Sequence, residues 1–414
     1  MSFSFVDDWV EKSTSAADSD KLLEYQLKKT RETLKYVTER SAFYRERLKS
    51  INGNSVSIEN IPFTYPEDIE LFSSEMLCVP QGMVNRVVTH KSSGTTMSPK
   101  RVFFTENDQR ATVDFFHHGM REFTSEGDTV LILFPGEKEG SIGELLADGL
   151  NRFGARPLVY GVVTDFDDLL RLIRKLSINV IVGLPQQLLE LSRLCLYKRI
   201  TVPDLHSVLM SADYAAKSLV NAVEKNLGCL VYEHYGMTET CFGGGVYSRA
   251  RDGYHLRHND FLFEIVDTLT GNVLPWGECG EVVFTSLNSE AMPLIRYRTG
   301  DLASFAPHTN KYPVMTKIEG RLGGSVRLLN GQALKMAELD EAIFAKEDVL
   351  DFKASYNGNT LELYVRSLCF NAADIVEALR VSPVISVLNG CDIKVIASGD
   401  RHICKSTMSK RHTF

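Results

Sequence analysis

The run Thr89-His90-Lys91-Ser92-Ser93-Gly94-Thr95-Thr96-Met97-Ser98-Pro99-Lys100 gathers hydroxyls, a glycine and two lysines into one short loop beside a β-type run, Arg101 to Thr105. Gly94 lets the backbone turn closely around an anion, backbone N–H groups and the Ser/Thr hydroxyls donate hydrogen bonds, and Lys100 supplies positive charge. Such a loop can grip phosphate; a polar surface turn has the same composition. Further on, Tyr235-Gly236-Met237-Thr238-Glu239-Thr240 follows an apolar strand, where an open α/β sheet brings loops to the carboxyl ends of its strands. Glu239 offers a hard oxygen ligand for Mg²⁺, Thr238 can donate to a phosphate and Tyr235 can stack on a base. The same residues also read as a helix start, with Thr238 as cap and Glu239 in the first turn. A third cluster, Arg296-Tyr297-Arg298-Thr299-Gly300-Asp301, ends on a carboxylate at a tight Gly-Asp turn. That carboxylate can accept both hydroxyls of a ribose, although Gly-Asp is equally an ordinary surface turn. Lys410, four residues from the end, reads by itself as part of a frayed basic tail.

These residues need a scaffold, and the chain is long enough to supply one. Its 414 residues exceed the usual size of one domain, so a large domain plus a smaller one is expected. With 46 Lys+Arg against 53 Asp+Glu, the formal charge of -7 lacks the basic excess of a nucleic-acid binder. No run approaches the roughly 18 apolar residues of a membrane span. Asp7, Asp8, Glu11, Asp18 and Asp20 stand where a signal peptide needs an apolar stretch, so the reading is cytoplasmic. Eight scattered cysteines without a C-x-x-C pair suggest neither a zinc ribbon nor a disulfide framework.

Leu27, Leu34, Val37, Tyr44 and Leu48 recur at helical spacing and predict one helix over roughly 20 to 49. From Thr129 to Tyr232, short apolar runs alternate with helix-like segments, the signature of a mostly parallel sheet buried on both faces. From about Gly253 to Ala306, short strands with Gly, Pro and Asn turns indicate an antiparallel subdomain. The expected fold is α/β: a large N-terminal domain, residues 1–319, with mostly parallel sheets and the antiparallel subdomain, then a small α+β C-terminal domain, residues 320–414. Gly320, Gly323 and Gly324 make the backbone permissive at that boundary.

Together the segments resemble the adenylate-forming, or AMP-binding, enzymes, and most closely the phenylacetate CoA ligase branch. The resemblance runs through Phe43-Tyr44-Arg45, Ser92-Ser93-Gly94-Thr95-Thr96, Tyr235-Gly236-Met237-Thr238-Glu239, Glu281 to Leu287, Glu290 to Leu302 and Gly320-Arg321. It implies that Ser92, Ser93, Gly94, Thr95, Thr96 and Lys100 hold the ATP phosphates. It also implies that Ser211, Ala212, Asp213, Tyr235 and Gly236 surround the adenine, that Glu239 binds Mg²⁺ with Thr238 beside it, and that Asp301 takes the ribose. Arg321 would support the nucleotide from a hinge, and Lys410 would be the catalytic lysine of a mobile C-terminal domain. The implied reaction joins a small carboxylic acid, aromatic or otherwise, to AMP and then to a thiol, usually that of coenzyme A. A stand-alone protein that loads an acyl carrier protein, and a nucleotide-binding homologue without turnover, are the alternatives; oligomeric state is left open, a homodimer included.

Departures from the family pattern are local. Met97 replaces a glycine of the phosphate loop, Gly323-Gly324 replaces an acidic hinge pair, and Ser409 replaces the glycine before the terminal lysine. Glu137, Lys138 and Glu139 occupy a segment that is aromatic and glycine-rich in phenylacetate-activating relatives, which argues against carrying phenylacetate over as the substrate, although a solvated loop reads the same way. Cys241 and His255 lie where some relatives hold a structural metal, but without a set of four ligands they read as a buried thiol and a surface imidazole.

Overall fold

Between Thr129 and Tyr235 the alternation of apolar runs and amphipathic segments becomes a parallel sheet in a computed structural model of the protein, which describes residues 3–51, 57–90, 99–307 and 310–399. The chain divides into two units: Met1–Phe123, Glu137–Phe153 and His234–Ile318 form the first, and Thr124–Gly136, Gly154–Glu233 and Glu319–Phe414 the second.

In the second unit the strands lie in the order Arg156–Val159, Thr129–Ile132, Val180–Gly183, Ser207–Met210, Leu230–Tyr235, all parallel. The central strands Val180–Gly183 and Ser207–Met210 are buried at every position, as expected for strands covered on both faces. Helices Phe166–Lys175, Pro185–Tyr197 and Lys217–Leu227 make the crossovers. The same unit holds helix Met336–Phe344 and a three-stranded sheet in which Val349–Asn357 pairs antiparallel, and Asp392–Ala397 parallel, with Thr360–Ser367. One apolar core joins the two parts, running from Leu188, Leu189 and Leu219 to Phe344, Phe352 and Leu363.

The first unit is built around antiparallel pairing. Phe261–Val266, Gly280–Ser286 and Tyr297–Ala303 form a sheet, and strands Arg86–His90 and Lys100–Phe104 pair antiparallel with His90 opposite Lys100. The last two residues of strand Leu230–Tyr235 belong here, His234 opposite Val246 and Tyr235 opposite Gly245. Its core gathers Leu34, Val37, Tyr44, Phe104, Tyr235, Phe284 and Tyr297. The helix expected over 20–49 is two helices, Ser19–Arg40 and Ala42–Arg47. They part at Ser41, which takes extended backbone and accepts the Tyr44 N–H on its side chain, capping the second helix.

Two buried charge clusters tie the first unit together. Arg296, at 1% exposure, donates to both Glu264 oxygens at 2.9 and 3.1 Å and to the Glu59 and Ile61 carbonyls at 3.0 Å. His255, expected at the surface, is 1% exposed: its Nδ1 lies 2.9 Å from Asp7 and its Nε2 3.2 Å from Asp252. Asp7 sits on helix Phe5–Thr14, so this contact anchors the N-terminal helix, together with Glu122, which accepts from the Ser4 hydroxyl and the Phe5 N–H at 2.7 Å. Burial by itself would lower the His255 pKa, but the flanking carboxylates of Asp252 and Asp7 overcome it and raise the ring to about 10. The stabilisation from imidazolium is therefore fully present below its unfolded pKa of roughly 6.5 and is lost as pH rises through the folded value. Both tryptophans, Trp9 and Trp276, lie in this unit and report its unfolding. In urea titrations followed by tryptophan fluorescence, the stability advantage of the native protein over His255→Gln should shrink steadily between pH 6.5 and 10; a constant gap would mean that the ring is neutral in the folded state.

Candidate active site

Lys100 opens its strand at 15% exposure and pairs with Glu239, itself 10% exposed. The Tyr297 hydroxyl lies between them, accepting from Lys100 Nζ at 2.9 Å and donating to Glu239 Oε1 at 2.9 Å. Three elements distant in sequence thus converge on one carboxylate. Burial would raise the Glu239 pKa, yet Lys100, by charge and hydrogen bond, and Tyr297 hold it down at about 2. Glu239 is therefore ionised throughout the physiological range.

Local backbone geometry aims that carboxylate. Thr238–Thr240 is a single 3₁₀ turn that follows extended Met237, so the helix start with Thr238 as cap is not what forms. Cys241 and Phe242 then take left-handed conformations, φ 48° and 69°, a sparsely populated region for residues with a Cβ. Gly236 is required here because a Cβ would come within 2.2 Å of the Phe242 carbonyl oxygen. Beside the turn is a small cavity lined by Phe103, Phe104, Glu239, Arg257, Asp260 and Met292, among others.

Tyr235 is 6% exposed, and its hydroxyl donates to Asp301 Oδ2 at 3.2 Å. Asp301 is not on a tight turn. It lies within strand Tyr297–Ala303, inside the register irregularity between the pairs Val283–Arg298 and Glu281–Leu302, with Gly300 at φ 77° and its N–H donating to Glu281 at 2.9 Å. The bulge lets Gly300 adopt the left-handed turn without ending the strand. Tyr297 was not singled out from sequence, but it shares with Thr299 and Asp301 the alternating buried face of that strand, a period-two signal that places it beside a candidate carboxylate.

Lys100, Tyr235, Gly236, Thr238, Glu239 and Asp301 all belong to the first unit. Ser211, Ala212, Asp213 and Arg321 belong to the second. There the Ser211 N–H donates to the Gly183 carbonyl at 3.1 Å, Ala212 is left-handed at φ 72°, and Asp213 accepts from Gln186 at 3.3 Å. Arg321 precedes a turn closed by Gly324 N–H to the Arg321 carbonyl at 3.0 Å, with Gly323 at φ 77°. Ser92, Ser93, Gly94, Thr95, Thr96, Met97 and Lys410 lie outside the described residues. Glu137, Lys138 and Glu139 are exposed. Cys241 is buried, and its carbonyl accepts from Thr112 at 2.8 Å. Among the described residues no helix is long and apolar enough to cross a membrane.

An ionised, buried carboxylate held by a lysine and a tyrosine, with a second buried carboxylate further along that tyrosine's bulged strand, suits a site that handles phosphate, a divalent cation and a sugar. The AMP-binding enzyme family matches the chain over residues 10–289, and the chain belongs to that family. Within it the chain falls in the phenylacetate CoA ligase-like branch. It is 30% identical over 344 residues to the phenylacetate-coenzyme A ligase of Pseudomonas putida, covering 79% of this chain and 76% of that one. It is 31% identical over 299 residues to the enzyme of the same name from Thermus thermophilus, covering 68% and 65%. The fold is similar to a crystal structure of 2-hydroxyisobutyryl-CoA ligase in its postadenylation state, with a TM-score of 0.80, 20% identity, and coverage of 94% of this chain and 89% of that one.

Removing one partner of a buried ion pair leaves an uncompensated charge, which costs about 3–5 kcal/mol. Lys100 keeps some exposure, so Lys100→Met should destabilise the first unit by about 3 kcal/mol, the low end of that range, in urea unfolding at pH 7. Adding Glu239→Gln should recover most of the loss. Equal instability in single and double variants would mean that the packing of Lys100, rather than its charge, is what matters.

Proposed function

We propose that the protein is an AMP-forming acid–thiol ligase. It activates a small carboxylic acid with Mg-ATP to an acyl-adenylate and passes the acyl group to coenzyme A. The observation that carries this reading is the convergence of Lys100, Glu239 and Tyr297, with Asp301, the partner of Tyr235, on the same strand as Tyr297, in a chain of the AMP-binding enzyme family.

In the first step a carboxylate oxygen of the substrate attacks the α-phosphorus of ATP, and the bond to pyrophosphate breaks. In the second, the thiolate attacks the acyl carbon and AMP leaves with the oxygen it gained. Neither step requires a general base at the α-phosphate; both need converging negative charge to be positioned and neutralised. Lys100 and Thr238, with Ser92, Ser93, Gly94, Thr95 and Thr96, take the phosphates. Asp301 accepts from the ribose, with Tyr235 fixing its orientation, and Gly236 and the segment Ser211-Ala212-Asp213 take the adenine. Arg321 supports the nucleotide and Lys410 meets charge developing at the α-phosphate. Mg²⁺ fits Glu239, whose depressed pKa supplies the ionised oxygen a hard cation prefers; bound there, the cation would neutralise phosphate charge. The functional division into residues 1–319, for ATP and acid, and 320–414 belongs to the same proposal.

With Mg-ATP and a cognate acid drawn from aromatic, aliphatic and amino acid panels, the protein should catalyse ATP–pyrophosphate exchange without any thiol. Asp301→Ala should weaken nucleotide binding by the roughly 1.5–3 kcal/mol of a charge-assisted hydrogen bond, raising the ATP concentration needed for half-maximal exchange. No exchange with any acid in folded protein would favour a nucleotide-binding homologue without turnover, whereas exchange without coenzyme A dependence of the second step would point to a carrier-protein thiol.

A further inference from the structure

Helix Lys217–Leu227 is closed in the ordinary way at one end and not at the other. Its C-cap, Gly228, is left-handed at φ 68°, but its N-cap is Ala216, which has no side-chain oxygen to receive the first N–H groups. Those groups must find an acceptor elsewhere. Glu341, from helix Met336–Phe344 in the same unit, supplies it: Oε1 accepts the Lys217 N–H at 2.6 Å and Oε2 the Ser218 N–H at 2.9 Å. The Tyr214 hydroxyl donates to the same carboxylate at 3.2 Å, and the Ser218 hydroxyl reaches the Asp340 carbonyl at 3.4 Å. A carboxylate at a helix N-terminus also gains from the helix dipole.

The segment immediately before this helix is Ser211 to Ala216. It contains the left-handed Ala212, a conformation that persists only where the surroundings hold it. On its upstream side it is held by Ser211 N–H to Gly183 and by Asp213 to Gln186. Its downstream side is held by Tyr214 and the helix start, and both of these end on Glu341. Two further contacts seat the C-terminal part against the preceding helix: Arg366 forks onto both Glu190 oxygens, and Arg193 donates to the Phe344 carbonyl at 2.6 Å.

We propose that Glu341 is a positioning residue for the nucleotide: by capping helix Lys217–Leu227 from outside, it fixes the Ser211–Ala216 segment in the conformation that receives adenine. This rests on the reading of Ser211-Ala212-Asp213 given above. The acceptor comes from the C-terminal part of the chain, so nucleotide affinity is coupled to how helix Met336–Phe344 is seated. If the cap is lost, the segment samples other conformations and apparent affinity falls by the fraction that remains competent.

The test is Glu341→Ala in the full chain, read by calorimetric titration with Mg-ATP and by amide hydrogen exchange. Exchange at Lys217 and Ser218 should accelerate, and Mg-ATP affinity should fall roughly 5- to 30-fold, the factor that corresponds to a lost cap. Ala216→Ser added to Glu341→Ala places a hydroxyl acceptor at the helix's own N-cap and should restore most of the affinity. Lys225→Ala, which removes the exposed pair with Glu347 at the other end of the helix, should leave affinity unchanged. Faster exchange with unaltered affinity, or lost affinity that Ala216→Ser does not recover, would overturn the coupling. Failure of the unsubstituted protein to bind Mg-ATP would instead remove the nucleotide reading itself, and this inference with it.

Discussion

The site depends on keeping the Glu239 carboxylate charged in a place that is nearly dry. A carboxylate moved out of water neutralises itself unless a cation and hydrogen-bond donors meet it there. Lys100 and Tyr297 do so, which fixes where strand Lys100–Phe104 must lie and where strand Tyr297–Ala303 must begin. The remaining geometry follows from that meeting. The chain between strand Leu230–Tyr235 and Glu239 has only a few residues in which to turn, and it manages this with Gly236 and the start of one 3₁₀ turn, the two left-handed residues Cys241 and Phe242 then leading the chain away. Asp301, four positions after Tyr297, is carried to Tyr235 by the same strand.

The second unit meets a related constraint by a longer route. Its parallel strands are short and apolar, so chemistry has to sit on the segments that leave them, and such segments are only as well defined as what holds their ends. Ser211 to Ala216 is held upstream by strand residue Gly183 and helix residue Gln186 and downstream by a glutamate that arrives more than a hundred residues later. The apolar core shared by Leu188, Leu219, Phe344 and Phe352 is what brings that glutamate into reach.

Much of this was legible in the sequence because the strongest signals are local. The alternation from Thr129 onward predicts strands and helices that the structure reproduces within a few residues, and the order and spacing of the motifs point to the family. What escaped depends on contacts between distant residues. Ser41 divides the expected helix because its hydroxyl caps the next one, although the apolar spacing continues across it. His255 is buried because Asp7, far off in sequence, neutralises it. Gly300-Asp301 reads as a turn from two residues alone; the Glu281 side chain, accepting from the Gly300 N–H, and the pairing that resumes at Leu302 make it a bulge within a strand. Tyr297 was visible only to someone who already knew that the segment is a strand.

The central claim is that the site drives attack of a carboxylate on the α-phosphate of ATP. It is tested most directly by supplying a cognate acid labelled with ¹⁸O in both carboxyl oxygens, together with Mg-ATP and coenzyme A, and analysing the products by mass spectrometry. The account predicts AMP carrying one ¹⁸O, unlabelled pyrophosphate and an acyl-CoA that retains the other label. Label in inorganic phosphate, with ADP as the nucleotide product, would contradict it.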